Sequence, residues 1–244
     1  MNRPSPPTPE PLDLSERGAG GASSDRRLFM QLLVYTDAPA DRDALSAALD
    51  ASASAGAHGN VLYEAVNDPR GVAVLTFARD PGALVDATRA PARSQAFAEL
   101  TPLPAFTMIG RSYTIGYERD LDETLIHRPA RTALNPDWPW VVWYPLRRAG
   151  AFNRLPDAER NEILKEHGTI GMRFGGGDHA HDIRLACHGL DPNDNDFVIG
   201  LTGKALAPLS QLVQTMRGTV QTSQYLEKLG PFFVGRKVHQ VPMS

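Results

Sequence analysis

The sequence predicts an α+β protein built from two tandem ferredoxin-like units. Three observations lead there. Hydrophobic segments between residues 28 and 118 follow the order strand, helix, strand, strand, helix, strand. The same order returns between residues 138 and 239, without obvious sequence identity between the halves. A polar, proline-rich stretch, 120–137, separates the two runs and suits a surface connection.

Composition sets the outer limits. A chain of 244 residues, 42% hydrophobic and 22% charged, is long enough to bury a substantial core and ordinary for a globular protein. A net charge of −3 gives no basic footprint for nucleic acid. Cys187 is the lone cysteine, so no internal disulfide forms, which fits a reducing, cytoplasmic setting. No stretch approaches the ~18 apolar residues of a membrane span. The N-terminus lacks the charged-then-apolar pattern of a signal peptide.

In chain order, residues 1–27 are rich in proline, glycine, serine and charge, and are expected to form a disordered tail. The first unit spans 28–119. LFMQLLVYT from Leu28 is a buried strand, and Asp41 to Ala51 an amphipathic helix. Strands follow at Asn60 to Val66 and Val72 to Ala78, joined by the turn NDPRG. Asp80 to Ala90 is a helix with Pro81 near its start, Ser94 to Leu100 a short helix, and Phe106 to Glu118 a long strand.

The second unit spans 138–244. Its strands are expected at Trp138 to Leu146, Asp182 to Gly189, Phe197 to Thr202 and Phe232 to His239. Its helices are expected at Asp157 to about Phe174 and Leu206 to about Lys228. The stretch from Trp138 to Phe174 carries the chemistry. Alternation puts Trp140, Val142 and Tyr144 on one strand face, with Arg148 returning to the Tyr144 side. Such a tyrosine either packs with a satisfied hydroxyl or serves radical or acid–base chemistry. On the following helix, Ile163, Leu164 and His167 share an inward face, with Gly168 as a stop signal. The histidine either complements the helix dipole or binds a metal. Gly175 to Gly177 lack the lysine that a phosphate loop needs and read as a loop. His179, His181 and His188 match no closed zinc set.

Four blocks, WYPLRR, LPDAERNEILKEHGTIG, GLDPNDNDFVIGL and MRGTVQTSQYLEKLGPFFVG, in this order and spacing, resemble the chlorite dismutase-like haem protein superfamily. Within it the pattern is most similar to the coproheme decarboxylases. The match covers roughly the last hundred residues well and is weaker upstream. The resemblance implies the dimeric α+β barrel superfamily arrangement, two ferredoxin-like halves with their sheets packed together. It also implies haem in the C-terminal half and a homo-oligomeric ring, commonly a pentamer.

The resemblance further implies iron coproporphyrin III (coproheme) as a substrate that acts as its own cofactor, with hydrogen peroxide as oxidant. His167 then matches the iron ligand and Tyr144 the catalytic tyrosine, whose radical removes hydrogen from a propionate. That propionate loses carbon dioxide and becomes a vinyl, twice in succession, giving haem b. Arg147 and Arg148 suit propionate carboxylates, Arg148 the more so by alternation. Thr222 falls where relatives place a propionate-binding hydroxyl. Arg111 and Tyr113, on one face with Ile115, could reach another propionate. Asp182 stands where chlorite dismutases carry their distal arginine, which argues against chlorite conversion; a shift of register would bring Arg184 there. His127 is a candidate base toward peroxide. A ferrochelatase is an implied partner. The alternatives are a chlorite dismutase or peroxidase-like haem enzyme, a non-enzymatic haem-binding protein, and a regulatory module for a small acid.

Overall fold

The computed structural model describes residues 11–53, 58–92 and 94–243. The first half runs β1 (Phe29–Thr36), α1 (Asp43–Ala53), β2 (His58–Ala65), β3 (Val72–Ala78), α2 (Pro81–Ala92) and β4 (Met108–Arg111). A helical connection ends in α3 (Arg128–Leu134). The second half runs β5 (Trp140–Arg148), α4 (Asp157–Gly176), β6 (His181–Ala186), β7 (Phe197–Gly203), α5 (Leu206–Arg217), α6 (Val220–Tyr225) and β8 (Phe233–Val241).

The strand pairings follow directly. In the first half the order is β4-β1-β3-β2, and in the second it is β8-β5-β7-β6, all antiparallel. Each is the order of a ferredoxin-like sheet. The two sheets then join at both edges. β8 pairs with β2 from Gly235↔Ala65 to Val241↔Asn60, and β4 meets β6 at Arg111↔Ala186. The result is a closed barrel, which leaves no long unpaired edge among the described residues.

Alternation sorts the side chains. Leu28, Met30, Leu32, Val61, Tyr63, Leu75, Phe77, Val141, Trp143, Ile183 and Leu185 fill the barrel. The opposite face of the first sheet packs with Leu45 and Leu49 of α1. The opposite face of the second, with Val142, Tyr144 and Leu146, lies under Ile170 and Phe174 of α4 and Leu209 and Leu212 of α5. Gly200 pairs with Trp143 across the sheet, and a Cβ there would lie 2.5 Å from the indole ring, so the barrel requires glycine at that position.

Several elements differ from expectation. The polar stretch 120–137 is not a surface loop. Glu123–His127 forms a π-helical turn that continues into α3. Leu121, Leu125, Ile126 and Ala133 insert into the barrel core, Leu125 and Ile126 with no exposed surface. Their spacing is helical, and burial of that stripe overrides the polar composition. Lys237 of β8 secures the end of α3 by donating to the Ala133 and Asn135 carbonyls at 2.7 and 2.8 Å.

Residues 16–27 are held in place as well. Glu16–Arg17 pairs with Ser23–Ser24. Glu16 binds Arg111 at 2.6 Å, Arg27 at 3.3 Å and the Thr114 N–H at 3.0 Å. A carboxylate shared by two guanidiniums anchors a segment that hydropathy alone leaves free. Of the rest of the expected tail, residues 1–10 lie outside the described residues.

The expected strand to Glu118 ends at Arg111. Beyond it Gly116 takes φ +93°, and the Glu118 carboxylate collects the N–H groups of Ile115, Gly116 and Tyr117 in a tight turn. α4 passes through Gly168 rather than stopping there, because Ile163, Ile170 and Phe174 keep one face on the sheet. A helical glycine costs only about 1 kcal/mol. The expected helix to Lys228 breaks at Gly218. Thr219 caps α6, its side chain accepting the Thr222 N–H, and Leu226–Leu229 returns to the sheet beside β5.

Candidate functional site

The site is the outer face of the second sheet, where it meets α4 and α6. Register sets its floor. Ile199 pairs with Tyr144 on one side and Arg184 on the other, so these three form one cross-strand row. Leu201 likewise joins Val142 and Asp182 in the next row. Phe197 joins Leu146 and Ala186 in the row beyond, and Ala186 pairs with Arg111.

Tyr144 is 8% exposed, and its ring stacks on Phe232 with centroids 4.8 Å apart. Burial, and then the Asp182 charge, raises the phenol pKa above its ordinary value. Tyr144 is therefore a neutral phenol, and oxidising it means losing an electron and a proton together.

Arg148 emerges on the Tyr144 side, as alternation requires. Its guanidinium lies between Phe152 and Phe197, 4.7 and 4.6 Å from the ring centroids. Nη2 donates to Gln221 Oε1 at 3.3 Å. Nε is buried without a hydrogen-bond partner. Burial lowers the Arg148 pKa from its very high ordinary value, but an arginine remains charged. A buried cation with an unmatched donor fits a carboxylate.

His167 projects from α4 and is half-buried. Burial first, then the Arg148 and Arg184 charges, push its pKa below the ordinary value, so the ring is a neutral imidazole near pH 7. Its Nδ1 lies 3.5 Å from Thr219 Oγ1. A neutral imidazole with one nitrogen so engaged fits an iron ligand.

Thr222 joins this cluster through its hydroxyl, 3.2 Å from Thr219 Oγ1, and lines a cleft of about 300 Å³ with Arg217 and Leu226. Tyr113 packs on Phe197 at 5.5 Å, within the fields of Arg184 and Arg148, while burial raises its phenol pKa. Asp182 forms an ion pair with Arg184 at 2.8 Å.

Three candidates lie apart from this cluster. Arg147 is paired with Asp194 at 3.0 Å and Glu227 at 3.4 Å, since its side chain alternates away from Arg148. Arg111 spends its charge on Glu16. His127 is exposed at the end of the π-helical turn. His181, at the start of β6, stacks on Trp138 at 3.5 Å and binds Asp178 at 2.8 Å.

Sequence reasoning left Gln221 and Thr219 out of the site and reached Arg184 only through a shift of register. Arg184 was readable by its two-residue offset from Asp182. Gly218-Thr219 carries a helix stop and cap signal that a continuous helix obscures.

A model of the chlorite dismutase family matches residues 45–238. Coproheme decarboxylases from two strains of Thermus thermophilus are each 31% identical over 140 residues, covering 52% of this chain and 54% of theirs. The chain thus spans about half the length of the curated relatives it matches. Among solved structures, a haem-binding protein from Thermus thermophilus superposes with a TM-score of 0.69 at 23% identity, over 87% of this chain and 92% of that one. The chlorite dismutase of Candidatus Nitrospira defluvii in complex with imidazole gives 0.69 at 15% identity, over 88% and 92%. These two show a shared fold. No helix among the described residues is long and apolar enough to cross a membrane.

Proposed function

The chain belongs to the chlorite dismutase family, and from that premise we propose that it decarboxylates iron coproporphyrin III with hydrogen peroxide. One observation carries the reading. Tyr144, Arg148 and Arg184 share one sheet face, charges from that face act on His167, and the Arg148 Nε is buried without a partner.

The iron porphyrin is the substrate, and when bound it brings the redox chemistry of its metal. His167 supplies a neutral imidazole to hold it. Arg148 binds one propionate through its free donor, with Thr222 and Tyr113 offering hydroxyls to others. Asp182, paired with Arg184, completes the proposed set, whereas Arg147, Arg111 and His127, which lie apart from it, are given no contact with the porphyrin.

Tyr144 loses its phenolic hydrogen atom in the peroxide-driven oxidation. Its radical takes a hydrogen atom from the propionate carbon next to the ring, which restores the phenol. Loss of carbon dioxide and one further electron leaves a vinyl group. The hydrogen atom, that electron and one solvent proton reduce peroxide to two waters. The same reading carries a homo-oligomeric ring, a ferrochelatase as partner, and a cytoplasmic setting.

Arg184 supports a second reading, chlorite conversion, because it places a cation in the Tyr144 row. Its ion pair with Asp182 weighs against this, since the charge is already matched. An absorption titration tests the main reading. Iron coproporphyrin III is expected to bind more tightly than haem b, which has fewer carboxylates for Arg148. Equal or reversed affinities would contradict it.

A further inference from the structure

The Nδ1 side of His167 meets a hydroxyl whose single hydrogen has two nearer acceptors, the Met216 carbonyl and the Thr222 hydroxyl. Thr219 Oγ1 donates to the Met216 carbonyl at 2.7 Å. A hydroxyl has one hydrogen and two lone pairs, so with nearer acceptors for that hydrogen Thr219 is an acceptor toward the imidazole. It accepts the Thr222 N–H at 3.4 Å and lies 3.2 Å from the Thr222 hydroxyl. His167 Nδ1 stands 3.5 Å away. A hydrogen bond between these two atoms therefore requires the proton to be on Nδ1.

We infer that Thr219 is the positioning residue of His167: it accepts the Nδ1–H, keeps the ring in that tautomer, and leaves the Nε2 lone pair available to a metal. What occupies Nε2 rests on the proposed function; the tautomer does not.

Two further observations support the assignment. Thr219 is 1% exposed, so its hydroxyl has little water to exchange for the imidazole. The preceding residue of α4 is tied to the following residue of the cap: Glu166 Oε2 accepts the Val220 N–H at 3.0 Å. Adjacent residues of one helix thus engage adjacent residues at the start of another, which fixes the ring against the cap. Glu166 is occupied by this contact. The Nδ1 partner is a neutral hydroxyl, which cannot draw off the ring proton as a carboxylate would. A separation of 3.5 Å lies at the outer edge of hydrogen-bond distance, so the inferred bond is a weak one.

Long-range proton–nitrogen correlation spectra of the full-length protein without porphyrin, near neutral pH, test this. The parent chain is expected to show His167 predominantly protonated on Nδ1. Thr219→Ser should retain that state. Thr219→Val should shift the ring toward the Nε2-protonated form. Thr219→Gly should do the same while keeping a residue tolerated at helix caps, should the valine variant not fold. A parent ring protonated on Nε2, or valine and glycine variants with the parent tautomer, would overturn the inference. Titrating the parent with iron coproporphyrin III separates the two ideas. Absence of binding with the expected tautomer pattern defeats the proposed function and leaves the Thr219 role standing.

Discussion

Tyr144 and Arg184 stand in one cross-strand row, each paired with Ile199 on the strand between them. The phenol on this sheet is held neutral by burial, and Asp182 reinforces that shift from the next row. Arg184, bound to Asp182, offsets the carboxylate locally. The face therefore combines an oxidisable group with a managed charge balance.

The first expectation concerns Tyr144. Tyr144→Phe should bind iron coproporphyrin III with an affinity close to that of the parent, because stacking on Phe232 needs only the ring. Its decarboxylation should fall to the rate of porphyrin and peroxide without protein. Binding by absorption and turnover by product chromatography check the two parts. Turnover at the parent rate would remove Tyr144 from the chemistry.

Arg148 should govern affinity. Arg148→Leu removes the buried donor set facing the site. A charge-assisted hydrogen bond contributes about 1.5–3 kcal/mol, so binding of iron coproporphyrin III should weaken by roughly 10- to 100-fold. Arg147→Leu should have a much smaller effect, because Asp194 and Glu227 already hold that side chain. Equal losses from both variants would show that strand alternation does not separate their roles.

Much of this arrangement was legible in the sequence. Alternation along one strand placed Tyr144 and Arg148 together and sent Arg147 elsewhere, because the period of two is local. Two βαββαβ runs specified both sheets. Register across strands was not legible, since the pairing of Ile199 with both Tyr144 and Arg184 depends on contacts between distant segments. The Glu16–Arg111 contact, 95 residues apart, left no local signal either. The stretch 120–137 was misread for another reason. Its prolines and charges dominate the composition, while Leu121, Leu125, Ile126 and Ala133 carry a helical stripe that the barrel core selects.

Lys237 should matter for stability through the α3 insertion. Its ammonium donates to Ala133, Asn135 and Gln240 at 2.7, 2.8 and 3.1 Å. Lys237→Met should lower stability by about 1.5–3 kcal/mol. That corresponds to a Tm shift of roughly 2–4 °C per kcal/mol for a chain of this size. An unchanged melting curve would mean that the insertion is held by its apolar stripe alone.

Gly200→Ala should also destabilise. The added Cβ would meet the Trp143 ring at 2.5 Å inside a filled barrel. Overpacking of this kind costs about 1–3 kcal/mol. Calorimetry of the variant checks it, and a Tm at or above the parent value would show that the indole can shift freely.

Asp178 gives a pH test. Hydrogen bonds from Lys204, then His181, hold its carboxyl at about 2, below the ordinary 3.8. A carboxyl whose pKa is depressed on folding stabilises fully above its unfolded value and loses that contribution as pH falls through its folded value. Asp178→Asn keeps a residue that tolerates the local φ of +55°. The variant should be less stable than the parent above about pH 4, and the gap should close as pH falls toward about 2. A gap constant across that range would show that these contacts do not depend on the carboxylate charge.

The central claim is tested most directly by mixing the protein with iron coproporphyrin III, adding hydrogen peroxide stepwise, and following the porphyrins by chromatography with mass detection. The expected result is two sequential losses of one carbon dioxide and two hydrogens, ending at haem b. Bound porphyrin that stays unchanged, or that only bleaches, would contradict the claim.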